Sequence, residues 1–256
     1  MANAKRDLTA ERGLYLYGVS RASGKKNAPP RITSPGIDGV SAVRALACGD
    51  FLGWVSDVDH ASFARDVESN MENLEWLALH GVRHQQVVGE VASKLTIVPA
   101  RFGTIFSGEP ALVRNVMGRS RALARVFERV ADADEWGVKV FAEKKPPPPA
   151  ASSPARSGTE YLQQKAAQVK KRPERNDPEL EELVTALQRV ATDSAPSGKV
   201  SGAQPNLLWQ GTFLVKRSRR RQWDKVLQEF VERWDALRRI EVNGPWPPYS
   251  FASDAD

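Results

Sequence analysis

The alternation of apolar and polar positions divides the chain into short strands and longer helices. Leu14–Ser20 (LYLYGVS) is rich in aromatic and β-branched residues and predicts a strand. Gly24, Pro29, Pro30, Pro35 and Gly36 mark a loop after it. Val43–Val58 carries two apolar runs on either side of Gly49-Asp50, which predicts a hairpin. Phe63, Val67, Met71, Leu74 and Leu77 recur at helical spacing, and a second helical stretch reaches about Lys94. Leu95–Val98 reads as a short strand stopped by Pro99. Leu112, Val116, Leu123, Val126, Phe127 and Val130 give one amphipathic helix from about Pro110 to Ala131, and Trp136–Phe141 gives another strand.

The proline-rich and then small, polar run KKPPPPAASSPARSG has no apolar period and reads as a linker, with 142–158 as the linker-like segment. Tyr161–Val169 is a helix candidate. Asp177-Pro178 supplies an N-cap and a first-turn proline, and Leu180, Leu183, Val184, Leu187 and Val190 follow at helical period. Thr192–Pro205 reads as a loop and Leu207–Lys216 as a strand. Arg219–Arg239 reads as a helix with Trp223, Val226, Leu227, Phe230, Val231, Trp234 and Leu237 on one face. Ile240–Val242 is a final strand, ended by GPWPPY. The second half thus suits a ferredoxin-like sheet with helices on one face. The expected fold is α+β in two domains: an N-terminal α+β domain at 10–133 and a C-terminal ferredoxin-like domain at 134–256.

Cys48 is the single cysteine, so no intramolecular disulfide can form, and no Cys/His cluster offers a zinc site. The start of the chain is polar, and no run approaches the roughly 20 apolar residues that span a bilayer. A soluble cytoplasmic protein is expected. The net charge of +6 favours acidic partners.

Four features imitate active sites. Gly18-Val-Ser-Arg-Ala-Ser-Gly24-Lys25-Lys26 has five residues between its glycines where a phosphate loop has four, and Lys26 stands where the magnesium-binding hydroxyl belongs. It reads as a solvated loop. His80 and His84 are four apart, but Gly81 is expected to interrupt the helix, and a surface or capping role is favoured over a metal site. Asp132, Asp134 and Glu135 sit where a helix gives way to a strand and read as a solvated connection. Pro99-Ala-Arg101-Phe102-Gly103-Thr104 reads as a structured turn. No catalytic, cofactor-binding or metal-binding residues are assigned.

Two basic surfaces remain. Lys216, Arg217, Arg219, Arg220 and Arg221 place five cations in six positions, which suits a phosphate backbone, although a solvated strand-to-helix connection is favoured. Arg114, Arg121, Arg125 and Arg129 fall near one stripe opposite the apolar face of their helix and suit an acidic protein partner. No aromatic residues interleave with these arginines, so a base-stacking platform is poorly supported.

Three segments, in order, carry a resemblance. LYLYGV at Leu14–Val19 looks like an opening strand, and IVPARFGTIF at Ile97–Phe106 is followed by a helix and EWGVKV at Glu135–Val140. GTFLVKRSRRRQW at Gly211–Trp223 and GPWPPYSFA at Gly244–Ala252 close the chain. Together they resemble the GvpL/GvpF family of gas vesicle proteins, and the EWGVKV wording leans toward the F type. The resemblance implies an accessory or minor structural protein that contacts the main shell protein and other accessory proteins and assists gas vesicle assembly. It implies no catalytic residues, no cofactor and no small-molecule substrate. A nucleic-acid-binding protein using 216–221 is the alternative. In the terminal segment, Trp246 and Tyr249 are expected to pin an extended proline-rich path to the body.

Overall fold

A computed structural model describes residues 12–22, 28–59, 72–143, 177–196 and 206–252, together with Gln204 and five positions between 63 and 70. The Lys25-Lys26 loop, most of the linker-like segment and the Tyr161–Val169 helix candidate lie outside the described residues. The fold is α+β, with two antiparallel sheets. It divides into two compact units, Met1–Trp136 with Gly244–Asp256, and Gly137–Asn243. The expected boundary at 133/134 lies a few residues before this division, and the end of the chain, expected in the second domain, falls in the first unit.

In the first unit, strand β1 (Arg12–Arg21) is central. It pairs antiparallel with β3 (Phe51–Asp59), β4 (Ile97–Pro99) and β5 (Ile105–Phe106), and β3 pairs in turn with β2 (Arg44–Cys48) across the expected hairpin. A strand covered on both faces needs apolar residues at successive positions, and Gly13 to Ser20 are all buried. Tyr15, Tyr17, Trp54 and Val58 face helix α1 (Leu74–Ala92), which contributes Val87, Val88 and Val91 to the same core. On the other face, Leu112 of α2 (Glu109–Gly118) reaches over Gly53, and Phe127 of α3 (Ser120–Val130) stacks on Phe51 at 5.7 Å.

Two helix expectations fail in this unit. Gly81 does not interrupt α1, which runs unbroken through it. The Pro110–Ala131 helix is instead two helices, broken at Arg119. A continuous helix would bring Arg119 or Ser120 onto the apolar stripe between Val116 and Leu123. The chain bends there, and Arg119 donates to Asn115 Oδ1 at 2.7 Å.

The second unit holds most of β6 (Ala133–Ala142), then α4 (Pro178–Val190), β7 (Asp193–Pro196), β8 (Leu207–Lys216), α5 (Arg220–Trp234) and most of β9 (Arg238–Trp246). The sheet order is β7-β8-β6-β9. Asp177 caps α4 by accepting from Leu180 N–H at 3.2 Å, and Glu179 and Glu181 in the first turn complement the helix dipole. Leu183, Leu187 and Val190 of α4 and Trp223, Leu227, Phe230 and Trp234 of α5 are buried, and Phe213 of β8 meets Trp223 at 5.1 Å.

The loop expected at Thr192–Pro205 begins with a strand, β7, paired with the end of β8. Its sequence DSAP lacks alternation because it is an edge, where polar residues and a terminal proline are tolerated. The last helix ends at Trp234, earlier than Arg239, and Leu237 is exposed rather than on the core face. Arg238 and Arg239 belong to β9: Arg238 pairs with Asp177 and Glu179, and the Arg239 guanidinium lies 4.5 Å from the centre of the Phe141 ring.

Candidate functional site

Beneath the first sheet lies a cluster of buried polar groups. Gly103 N–H donates to Tyr15 Oη at 3.1 Å, and Tyr15 Oη shares a hydrogen bond with His84 Nδ1, 2.9 Å away. Burial pushes this imidazole down to about 4, against a smaller opposing pull from the Ala100 backbone. Tyr17 repeats the arrangement: it accepts from Ile37 N–H at 2.6 Å and shares a hydrogen bond with Ser56 Oγ at 2.9 Å. Burial raises both phenols, Tyr17 to about 12, despite these hydrogen bonds. Groups held neutral and shielded in this way fix the core rather than exchange protons. Gly103 has a φ of +82, which a side chain would resist, so the expected turn at Pro99–Thr104 is set by backbone need.

The two histidines of α1 do not make a metal pair. His84 is buried in the core rather than at the surface, and His80 stacks on Trp76 at 4.0 Å with Nδ1 2.8 Å from the Trp76 carbonyl. Among the described residues no group of three or more His, Cys, Asp or Glu could hold a metal ion. Cys48 is buried, and burial pushes its thiol up.

Glu135 departs from expectation. It is buried in β6, not solvated, and its carboxylate accepts from Ser250 N–H at 2.7 Å and Ser250 Oγ at 2.8 Å. Burial raises its pKa, and these two bonds oppose the rise. They fix the terminal segment, with Phe251 fully buried under the guanidinium of Arg129 at 5.5 Å. Trp246 is 49% exposed, so Tyr249, Ser250 and Phe251 pin the segment, not Trp246 as expected. Gly244 leads into it with a φ of +138, and a Cβ there would stand 2.8 Å from Glu135 O and 2.9 Å from the Trp136 ring.

The basic residues fall into two kinds. In the 216–221 run, Arg219 donates to the Val190 carbonyl at the end of α4 (3.2 Å), and Arg220 pairs with Asp224 through both carboxylate oxygens, at 2.7 and 2.8 Å. Lys216 and Arg217 also have partners, and Arg217, Arg219 and Arg221 are exposed. The Arg220–Asp224 ion pair lessens counterion release at Arg220, whereas the bond of Arg219 to a neutral carbonyl leaves its charge in place. On the broken helix pair, Arg129 lies over Phe251, while Arg114, Arg121 and Arg125 are exposed. Arg121 and Arg125 lie one helical turn apart on α3, and Arg114 is on α2. An open cleft nearby is lined by Arg21, Leu95, Thr96, Phe127 and Glu128, but Arg21 already donates to the Ala124 carbonyl at 3.2 Å. No helix among the described residues is long and apolar enough to cross a membrane.

The family model described as gas vesicle synthesis protein GvpL/GvpF matches residues 13–253. Gas vesicle protein L of Streptomyces sp. (strain CB03234) is 29% identical, over 97% of this chain and 96% of its own. Gas vesicle protein F of the same strain is 28% identical over 93% and 98%, and gas vesicle protein F1 of Halobacterium salinarum is 24% identical over 93% and 92%. At 29% and 28% identity, these relatives do not by themselves separate the L type from the F type. The crystal structure of GvpF from Anabaena sp. PCC7120 shares the fold, with a TM-score of 0.64, 18% identity and coverage of 94% of this chain and 96% of that one. GvpF from Microcystis aeruginosa gives 0.63, 16%, 94% and 98%.

Proposed function

The chain belongs to the GvpL/GvpF family of gas vesicle synthesis proteins, and from that premise we propose that it is an assembly factor that binds the main shell protein and assists its entry into the vesicle wall. It acts in the cytoplasm at the growing vesicle, with other accessory proteins as further partners. It has no catalytic role, no cofactor and no small-molecule substrate. A helper of this kind covers apolar surfaces and strand edges that would otherwise aggregate, and releases them at the wall.

Family membership carries this reading. The exposed Arg114, Arg121 and Arg125 supply the electrostatic part of the contact. Arginine pairs with carboxylates through two parallel hydrogen bonds, so these residues orient acidic groups of the partner and speed encounter. Arg129 is left to hold Phe251. We read the two compact units as two domains. The strand-helix-strand-strand-helix-strand order of the second, in the sheet order β7-β8-β6-β9, supports its ferredoxin-like assignment.

Reversing all three charges (R114E, R121E and R125E together) tests the electrostatic part. Affinity for purified shell protein should drop, the loss should shrink as salt is raised, and the thermal midpoint should stay unchanged. A triple variant that binds as well as the parent removes these arginines from the contact.

A further inference from the structure

The terminal segment of the first unit is held by an acid that has no cation. Glu135 is 8% exposed, and among the described residues no lysine or arginine pairs with its carboxylate. Both of its hydrogen bonds come from Ser250, one from the backbone N–H and one from Oγ. A buried carboxylate keeps its charge only at a cost that its donors must offset. Here both donors sit on one residue, so the carboxylate is satisfied only while the terminal segment is seated.

That segment has the form of a strap. Gly244, Pro245 and Trp246 lead into it and are exposed. Tyr249–Phe251 is a single tight turn closed by its own backbone, with Phe251 N–H donating to Pro248 O at 3.3 Å and Ala252 N–H to Tyr249 O at 3.4 Å. Phe251 is fully buried beneath Arg129, and Tyr249 packs against the core cluster that includes Val87, Val88 and Val91. A turn that makes its own backbone bonds can leave its seat without breaking a sheet or a helix. Leaving costs the burial of Phe251 and Tyr249 and gains the hydration of Glu135. These terms oppose each other, and only the second changes with the proton.

We infer that Tyr249–Ala252 is a releasable strap on the first unit, held shut when Glu135 carries a proton and loosened when Glu135 is ionised. Burial raises the pKa of Glu135 above the ordinary 4.5, against the opposing pull of the Ser250 bonds. A group raised in this way stabilises the closed form fully below about pH 4.5, and that contribution is lost as the pH rises through the raised value. The strap therefore opens more often toward neutral pH, opposite in sign to an acid effect. The other titratable groups around it do not give this signal. Tyr249, on the strap itself, is pushed above its ordinary range by burial and stays neutral. His84 of α1, whose ring centre lies 6.3 Å from that of Tyr249, gains its proton only near pH 4. Arg129 of α3 is charged throughout, as any arginine is. Asp134 is next to Glu135 on β6, and strand alternation turns its side chain to the other face.

The test follows the Ser250 amide of the full chain by hydrogen exchange from about pH 5 to about pH 8, each rate divided by that of an unstructured peptide. Protection should fall severalfold as the pH rises and then level off. Glu135→Gln keeps an acceptor for Ser250 N–H but cannot ionise, so its protection should be independent of pH and at least equal to the parent's at the upper end. Asp134→Asn should keep the parent's dependence. Ser250→Ala keeps the amide and loses the Oγ donor, so protection of the Phe251 amide should fall more at the upper end than at the lower. Constant protection in the parent, or a pH dependence that survives in Glu135→Gln, would overturn the inference. Should Glu135→Gln fail to fold, Ser250→Ala decides, and an equal loss at both ends of the range would overturn it. The same pH dependence at the Tyr15 amide of the central strand would assign the effect to the whole unit and overturn it as well.

Discussion

Acid should destabilise the first unit through one side chain, His84. Its ring is buried, its Nδ1 shares a hydrogen bond with Tyr15, and burial pushes its pKa from the ordinary 6.5 down to about 4. A base with a depressed folded-state pKa binds its proton in the unfolded chain first. Its contribution to stability is therefore complete above about pH 6.5 and is lost as the pH falls through about 4. At 1.36 kcal/mol per pKa unit, this gap takes away about 3 kcal/mol between pH 7 and pH 4. Urea unfolding followed by tryptophan fluorescence across that range would measure the loss. His84→Gln keeps an acceptor for Tyr15 but cannot titrate. Its profile should be flatter than the parent's by about 3 kcal/mol at pH 4, with most of the difference arising below pH 6. Glu90, held ionised by Lys94, Ser34 and Thr33 against the cost of its burial, also loses stability in acid. It does so equally in both proteins, so the difference isolates His84. Parallel profiles for the two proteins would refute the argument.

Other substitutions follow from the backbone. Gly89→Ala enters open space on a regular helix and should stabilise by about 0.5–1 kcal/mol, raising the thermal midpoint by roughly 2–4 °C; a fall would mean the site is not open. Gly244→Ala must hold a side chain at a φ of +138 against Glu135 O, and should cost about 1–3 kcal/mol by chemical denaturation; a neutral result would contradict the geometry. Asp177→Ala removes the cap of α4 and should cost about 1 kcal/mol, with faster hydrogen exchange in its first turn; unchanged exchange there would show that the cap is dispensable.

Much of this fold can be read from residue patterns where local and global demands agree. The aromatic and β-branched run of β1 and the Asp177-Pro178 start of α4 are examples, because one interaction decides each. The elements that escape are decided by distant partners. The polar DSAP segment becomes a strand only because β8 offers an edge, and Arg238 joins β9 because Asp177 and Glu179 wait for it. Glu135 looks like a turn residue until Ser250, far along the chain, supplies two donors. The arginine stripe was visible by spacing, but the break at Arg119 and the contact of Arg129 with Phe251 were not.

The central claim is that this chain holds the shell protein during assembly. Its most direct test is co-expression of the full chain with the small gas vesicle shell protein, followed by pull-down from the soluble fraction. The account predicts a soluble complex that keeps the shell protein out of aggregates. Shell protein that stays aggregated, with nucleic acid co-purifying with the chain instead, would contradict it and put the 216–221 run first.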